Sequence, residues 1–178
     1  MIATADPVLV IGMGNVLLRD DGVGVRLVEG LRSLADRDPR AVPARTRLVD
    51  GGTLGLDLLG MVREAGALLL LDAVDLGGEA GAVTLLRGDA IHTGRSRAGG
   101  VGELLAAARL MGWLPTWVSL VGVQAGDIGP GLGVSPEVEA AIPAALEMAR
   151  LELVALDERA ASGGSETPAN RRQGEATA

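Results

Sequence analysis

Five aspartates stand where apolar runs give way to turns: Asp20 and Asp21 beyond Val8 to Gly14, Asp50 ahead of Gly51-Gly52, and Asp72 and Asp75 closing the run Ala67 to Leu71. Carboxylates gathered in one place either hold a cation or share a proton and activate water, because like charges a few ångströms apart cannot all ionise freely. Other chemistries lack their residues. With no cysteine and no lysine in the chain, thiolate nucleophiles, thiolate metal sites, Schiff bases and lysine-bearing phosphate loops are excluded. The single histidine, His92, lies in a polar stretch, and no Gly-x-Ser-x-Gly elbow occurs, which sets serine hydrolase chemistry aside. Each acidic residue also has a structural reading. Asp21 could cap a helix beginning at Gly22, and Asp50 could close an Asx turn or cap a short helix after Thr53. Asp75 reads as a turn residue, Asp20 as a solvated neighbour and His92 as a surface loop residue. Asp72, directly ending an apolar strand, has the weakest structural excuse.

The elements that must position these residues follow from hydrophobic pattern. Val8 to Ile11 is too short and too β-branched for a helix and ends in Gly12-Met13-Gly14-Asn15, so it reads as a central parallel strand. A dinucleotide-binding turn would carry a third glycine where this chain has Leu17, and the Asp20-Asp21 pair would repel a phosphate. A cation suits the loop better than an anion. Gly22 to Ala35 has helical spacing of Val23, Leu27, Val28, Leu31 and Leu34. A second strand, Arg47 to Asp50, a short apolar helix, Leu54 to Val62, and a third strand, Ala67 to Leu71, complete a β-α-β-α-β order. That order predicts an open parallel sheet whose strands end on one edge, where ligands bind. Val83 to Leu86 is expected to return antiparallel, since the connection before it is too short for a helix. A loop over Gly88 to Gly99, a helix over Val101 to Met111 and a strand over Trp117 to Gln124 follow. Ser135 as N-cap and Pro136 then start a last helix with Val138, Ile142, Ala145, Ala149, Leu153 and Leu156 on one stripe.

The chain has 178 residues, 48% of them hydrophobic, enough for one domain with a substantial core. That domain is expected to span residues 1–157, with 158–178, poor in large apolar side chains, as a disordered tail. A net charge of −7 argues against a nucleic-acid partner. No stretch reaches the length of a membrane span and no leader pattern opens the sequence, so a cytoplasmic protein is expected.

The motifs together resemble one family. Gly12-Met-Gly-Asn15-Val-Leu-Leu-Arg-Asp20-Asp21-Gly22-Val-Gly24, Asp50-Gly-Gly-Thr53, Leu71-Asp72-Ala73, and Leu120-Val-Gly-Val123 ahead of Ser135-Pro136 look like the hydrogenase maturation proteases. These are nickel-dependent endopeptidases that trim the C-terminus of nickel-iron hydrogenase large subunits. The resemblance implies a three-layer α/β/α sandwich with a twisted, mostly parallel five-stranded sheet, and a large-subunit precursor as partner. It implies that Asp21 and Asp72 are metal-facing carboxylates and that Asp50 is a further acidic position lining the cleft, the three sharing the catalytic work. The family's histidine does not carry over: its expected place holds Arg97, whose guanidinium stays protonated and cannot ligate a metal. His92, a short way upstream, is the only imidazole that could replace it. The nickel is accordingly expected to arrive on the substrate. Two rivals are a maturation chaperone that binds the large subunit without cutting it and a nucleotide-binding α/β module.

Overall fold

The computed structural model describes residues 7–93, 95–96 and 100–162. Strand β1 (Val8–Met13) is buried throughout and is followed by a 3-10 turn, Arg19–Gly22, and helix α1 (Val23–Arg37). Strand β2 (Thr46–Gly52) leads through a second 3-10 turn, Gly55–Leu58, into the short helix α2 (Leu59–Arg63). Strands β3 (Ala67–Asp75) and β4 (Val83–Arg87) come next. The segment expected as a plain loop from Gly88 to Gly99 instead carries a 3-10 helix, Gly88–Thr93, and a two-residue strand β5 (Arg95–Ser96). Helix α3 (Gly100–Leu110), strand β6 (Trp117–Gln124) and helix α4 (Pro136–Ser162) close the described chain.

Five strands run in the order β2-β1-β3-β6-β4, and β5 adds to β3 as a short sixth. β1 pairs in parallel with β2 and β3, β3 pairs in parallel with β6, and β4 returns antiparallel on β6. The mostly parallel sheet expected from the element order is thus present, with its antiparallel strand where the short connection demanded it. Because side chains alternate along a strand, each face of the sheet needs its own cover. Val8 and Val10 of β1 and Leu69, Leu71 and Ala73 of β3 join α1 and α4 in one cluster. Leu9, Ile11 and Met13 with Leu68, Leu70 and Val74 join α2 and α3 in the other. Three layers result, and β3 is buried over all but its last residue.

Helix α4 starts at Pro136 as expected, but one turn of its buried face carries a charge. Glu152 is buried and accepts from Arg87 Nε at 2.9 Å and from Ser119 Oγ at 2.7 Å. Burial alone would push the Glu152 carboxyl up, yet the Arg87 and Ser119 hydrogen bonds and the charges of Arg87 and Arg159 outweigh it and leave the group below its ordinary value. Helix α4 also runs past residue 157, the expected end of the domain. The helix continues to Ser162, with Ala160 against the core and the Arg159 guanidinium 5.4 Å from the Trp117 ring. The rest of the expected tail lies outside the described residues. No described helix is long and apolar enough to cross a membrane.

Candidate active site

The carboxyl ends of β1, β2 and β3 meet at one edge, and glycines let α1 close on it. Gly24 lies so near the sheet that a Cβ there would stand 2.2 Å from the Leu71 carbonyl oxygen and 2.4 Å from that of Met13. The first turn of α1 therefore covers the Leu71–Asp72 peptide. Gly14, at φ +118°, admits the returning backbone of the 3-10 turn, where a Cβ would be 1.8 Å from the Asp21 carbonyl oxygen. These two approaches bring the turn that carries Asp21 against β3, which carries Asp72.

Asp21 is 4% exposed, and its Oδ2 accepts the Asn15 N–H at 2.6 Å. It does not cap α1, whose N-cap, Gly22, makes no side-chain capping bond. Among the described residues Asp21 Oδ1 accepts no hydrogen bond. Asp72 is wholly buried one residue beyond the last β1–β3 pair, Gly12 with Leu71, and accepts the Ala73 N–H at 2.8 Å. Asp50 pairs in register with Gly12 but is exposed. Its neighbour Gly51 faces Ile11, Met13 and Leu58 on the α2/α3 side, so by alternation Asp50 projects toward the α1 side, whereas Asp72 projects toward the α2/α3 side. Among the described residues no group of three or more His, Asp or Glu side chains is close enough to hold a metal ion. His92 belongs by its backbone to the 3-10 helix Gly88–Thr93; its side chain, and Arg97 altogether, lie outside the described residues.

Asp20 departs from the expectation of a solvated neighbour. It is completely buried and ties the first loop to the glycine-rich loop after β6. Its Oδ2 accepts the N–H groups of Gly126 and Asp127 at 2.9 and 2.8 Å and the Ser135 hydroxyl at 3.0 Å, while Oδ1 accepts the Ser135 N–H at 2.5 Å. Desolvation would raise its pKa, but the backbone N–H groups of Asp127, Ser135 and Gly126 and the Ser135 hydroxyl overcome that and hold the carboxyl below its ordinary value. Asp75 fills its expected place near the β3 turn, 3.4 Å from Gln124 Nε2, and Gln124 Oε1 in turn accepts the Leu76 N–H at 2.8 Å.

Two well-shielded carboxylates on neighbouring elements, one with an oxygen that accepts no hydrogen bond from the described residues, suit proton transfer or recognition of a bound cation. Known proteins carry the same arrangement of chain. A family model described as hydrogenase maturation protease matches residues 25–152. The hydrogenase expression/formation protein HupD of Rhodobacter capsulatus is 39% identical over 153 residues, covering 82% of this chain and 70% of the relative. The hydrogenase 2 maturation protease of Escherichia coli is 36% identical over 146 residues, covering 79% of this chain and 86% of the relative. The solved structure of the hydrogenase maturating endopeptidase HybD from Escherichia coli superposes with a TM-score of 0.71 at 34% identity, covering 86% of this chain and 93% of that one.

Proposed function

The chain belongs to the hydrogenase maturation protease family, and we propose that it is the endopeptidase that removes the C-terminal extension of a nickel-iron hydrogenase large-subunit precursor once nickel is in place. The observation that carries this reading is the pair Asp21 and Asp72, shielded and held by adjoining elements at the carboxyl edge of the sheet. In this account the Asn15 N–H fixes the Asp21 carboxylate through Oδ2, and Oδ1 takes the proton of the water that attacks the scissile carbonyl. Asp72 faces the metal region of the substrate, and exposed Asp50 meets the precursor at the rim.

The donor set suits a visiting metal better than a resident one. Two carboxylates without an imidazole make a poor nickel site, because imidazole is the ligand nickel prefers among those this chain offers. Nickel is therefore part of the substrate, and its arrival licenses cutting. Calorimetric titration tests this on the native protein, Arg97→His and His92→Ala. Weak binding by the native protein, gained with Arg97→His and unaffected by His92→Ala, is expected. Tight binding lost with His92→Ala, and weakening as pH falls through roughly 6.5, would make nickel a resident held by His92. Incubation with nickel-loaded precursor tests the cleavage itself: a mass loss in the precursor is expected, and binding without mass loss would leave a chaperone.

A further inference from the structure

The first loop and the β6–α4 loop form one platform beside the Asp21 mouth. The Arg19 N–H donates to the Gly131 carbonyl at 3.2 Å, the Gly131 N–H to the Leu17 carbonyl at 2.9 Å and the Asp20 N–H to the Asp127 carbonyl at 3.0 Å. Arg19 also pairs with the Asp127 carboxylate at 3.3 Å. Beneath them the buried Asp20 carboxylate gathers three N–H groups and a hydroxyl. Arg19 is the one non-glycine residue at positive φ, 48°, among the described residues, a strained conformation that persists only where surrounding contacts enforce it.

This rigid frame points apolar side chains outward. Leu17 is 60% exposed, and Leu132, which follows Gly131, the backbone partner of Leu17, is 81% exposed; Val16 and Ile128 on the same two bonded loops are exposed as well. A rigid apolar surface binds with little ordering cost, and contiguous exposed apolar patches mark interaction sites. We infer that residues 16–18 and 128–132 are the surface on which the large-subunit precursor docks, through an apolar segment flanking the bond that is cut. The occupant follows from place: Leu17 shares its loop with Asp21 and Leu132 follows Gly131, the backbone partner of Leu17, so a protein chain bound at that carboxylate has this apolar surface beside it. The inference rests on the endopeptidase reading above.

The test compares native protein, Leu17→Ser/Leu132→Ser and, as a control at the far end of α3, Leu110→Ser, where the native leucine is 89% exposed. Processing of nickel-loaded precursor is followed by mass to give kcat and KM, and retention of precursor on immobilised protein is measured in parallel. The double variant should raise KM by about tenfold per leucine, reduce retention to match, and leave kcat and Tm at native values, with Leu110→Ser like native. Unchanged KM in a double variant compared with an active native protein overturns the docking surface and leaves the endopeptidase reading standing. If the native protein leaves the precursor uncut, the endopeptidase reading fails, and equal retention by native and double variant then overturns the docking surface as well. A double variant that converts a native dimer to monomer at unchanged KM assigns the patch to a second copy of this chain and overturns the proposal.

Discussion

At the scale of single residues, adjacent aspartates have opposite jobs. Asp20 spends its acceptors on Gly126, Asp127 and Ser135, whereas Asp21 keeps an oxygen out of the hydrogen-bond network of the described residues. Asp21→Asn and Asp72→Asn preserve shape and the acceptors for the Asn15 and Ala73 N–H groups. Each should abolish precursor processing while moving stability by no more than about 1 kcal/mol in urea denaturation; processing at the native rate by either would remove that residue from the chemistry. Asp20→Ala orphans buried donors instead and should cost about 3 kcal/mol. Because the folded-state pKa of Asp20 is depressed, its contribution is fully present above the unfolded carboxyl value near 3.8 and is lost as pH falls through the lower folded value. The stability gap between native protein and Asp20→Ala should therefore narrow in acid, and a gap constant down to pH 2 would contradict the role. The burial of Asp20 is not legible in the sequence because its partners lie more than a hundred positions downstream, with Gly126 at a separation of 106. By contrast, the strand-ending place of Asp72 was legible, since an apolar run of that length announces both its strand and its end.

At the scale of elements, α1 closes on the sheet through two glycines, Gly12 of β1 and its own Gly24, and β4 is joined to α4 through a buried charge. Gly24→Ala would set a Cβ against the Leu71 and Met13 carbonyls, which costs about 2 kcal/mol or more of overpacking and shifts Asp21 relative to Asp72. Processing should fall further than stability explains, as read from rates at temperatures well below Tm. The Arg87–Glu152 pair predicts an asymmetry. Arg87 is half exposed and Glu152 is buried, so Arg87→Met strands a buried carboxylate that keeps, among the described residues, Ser119 and the more distant Arg159, 3.9 Å away, whereas Glu152→Gln leaves a cation that water can solvate. Arg87→Met should cost about 2 to 3 kcal/mol and Glu152→Gln about 1 kcal/mol; the reverse order in urea midpoints would sink this account. Helix α4 was readable from its Ser-Pro start and apolar stripe, but Glu152 was not, because its partners come from β4 and β6 and periodicity alone assigns charge to the wet face.

At the scale of the whole molecule, the element order was enough to lay out the parallel sheet and its antiparallel return, and the glycine-aspartate motifs were enough to find the family. The run of α4 beyond Asp157 was not legible, because the contacts that accompany it are a cation over Trp117 and a small side chain at Ala160, neither of which registers as an apolar run. A chain ended at Glu158 loses Arg159 and Ala160 and should melt about 2 to 4 °C below one ended at Ser162; equal melting would place the limit of the fold at 157. The central claim is that this molecule cuts a hydrogenase precursor with Asp21 at the reacting bond. The intact mass of nickel-loaded large-subunit precursor after incubation with native protein and with Asp21→Asn tests it most directly. The account predicts loss of the C-terminal extension with the native protein and an unchanged mass with the variant, whereas equal trimming by both, or trimming by neither, would contradict it.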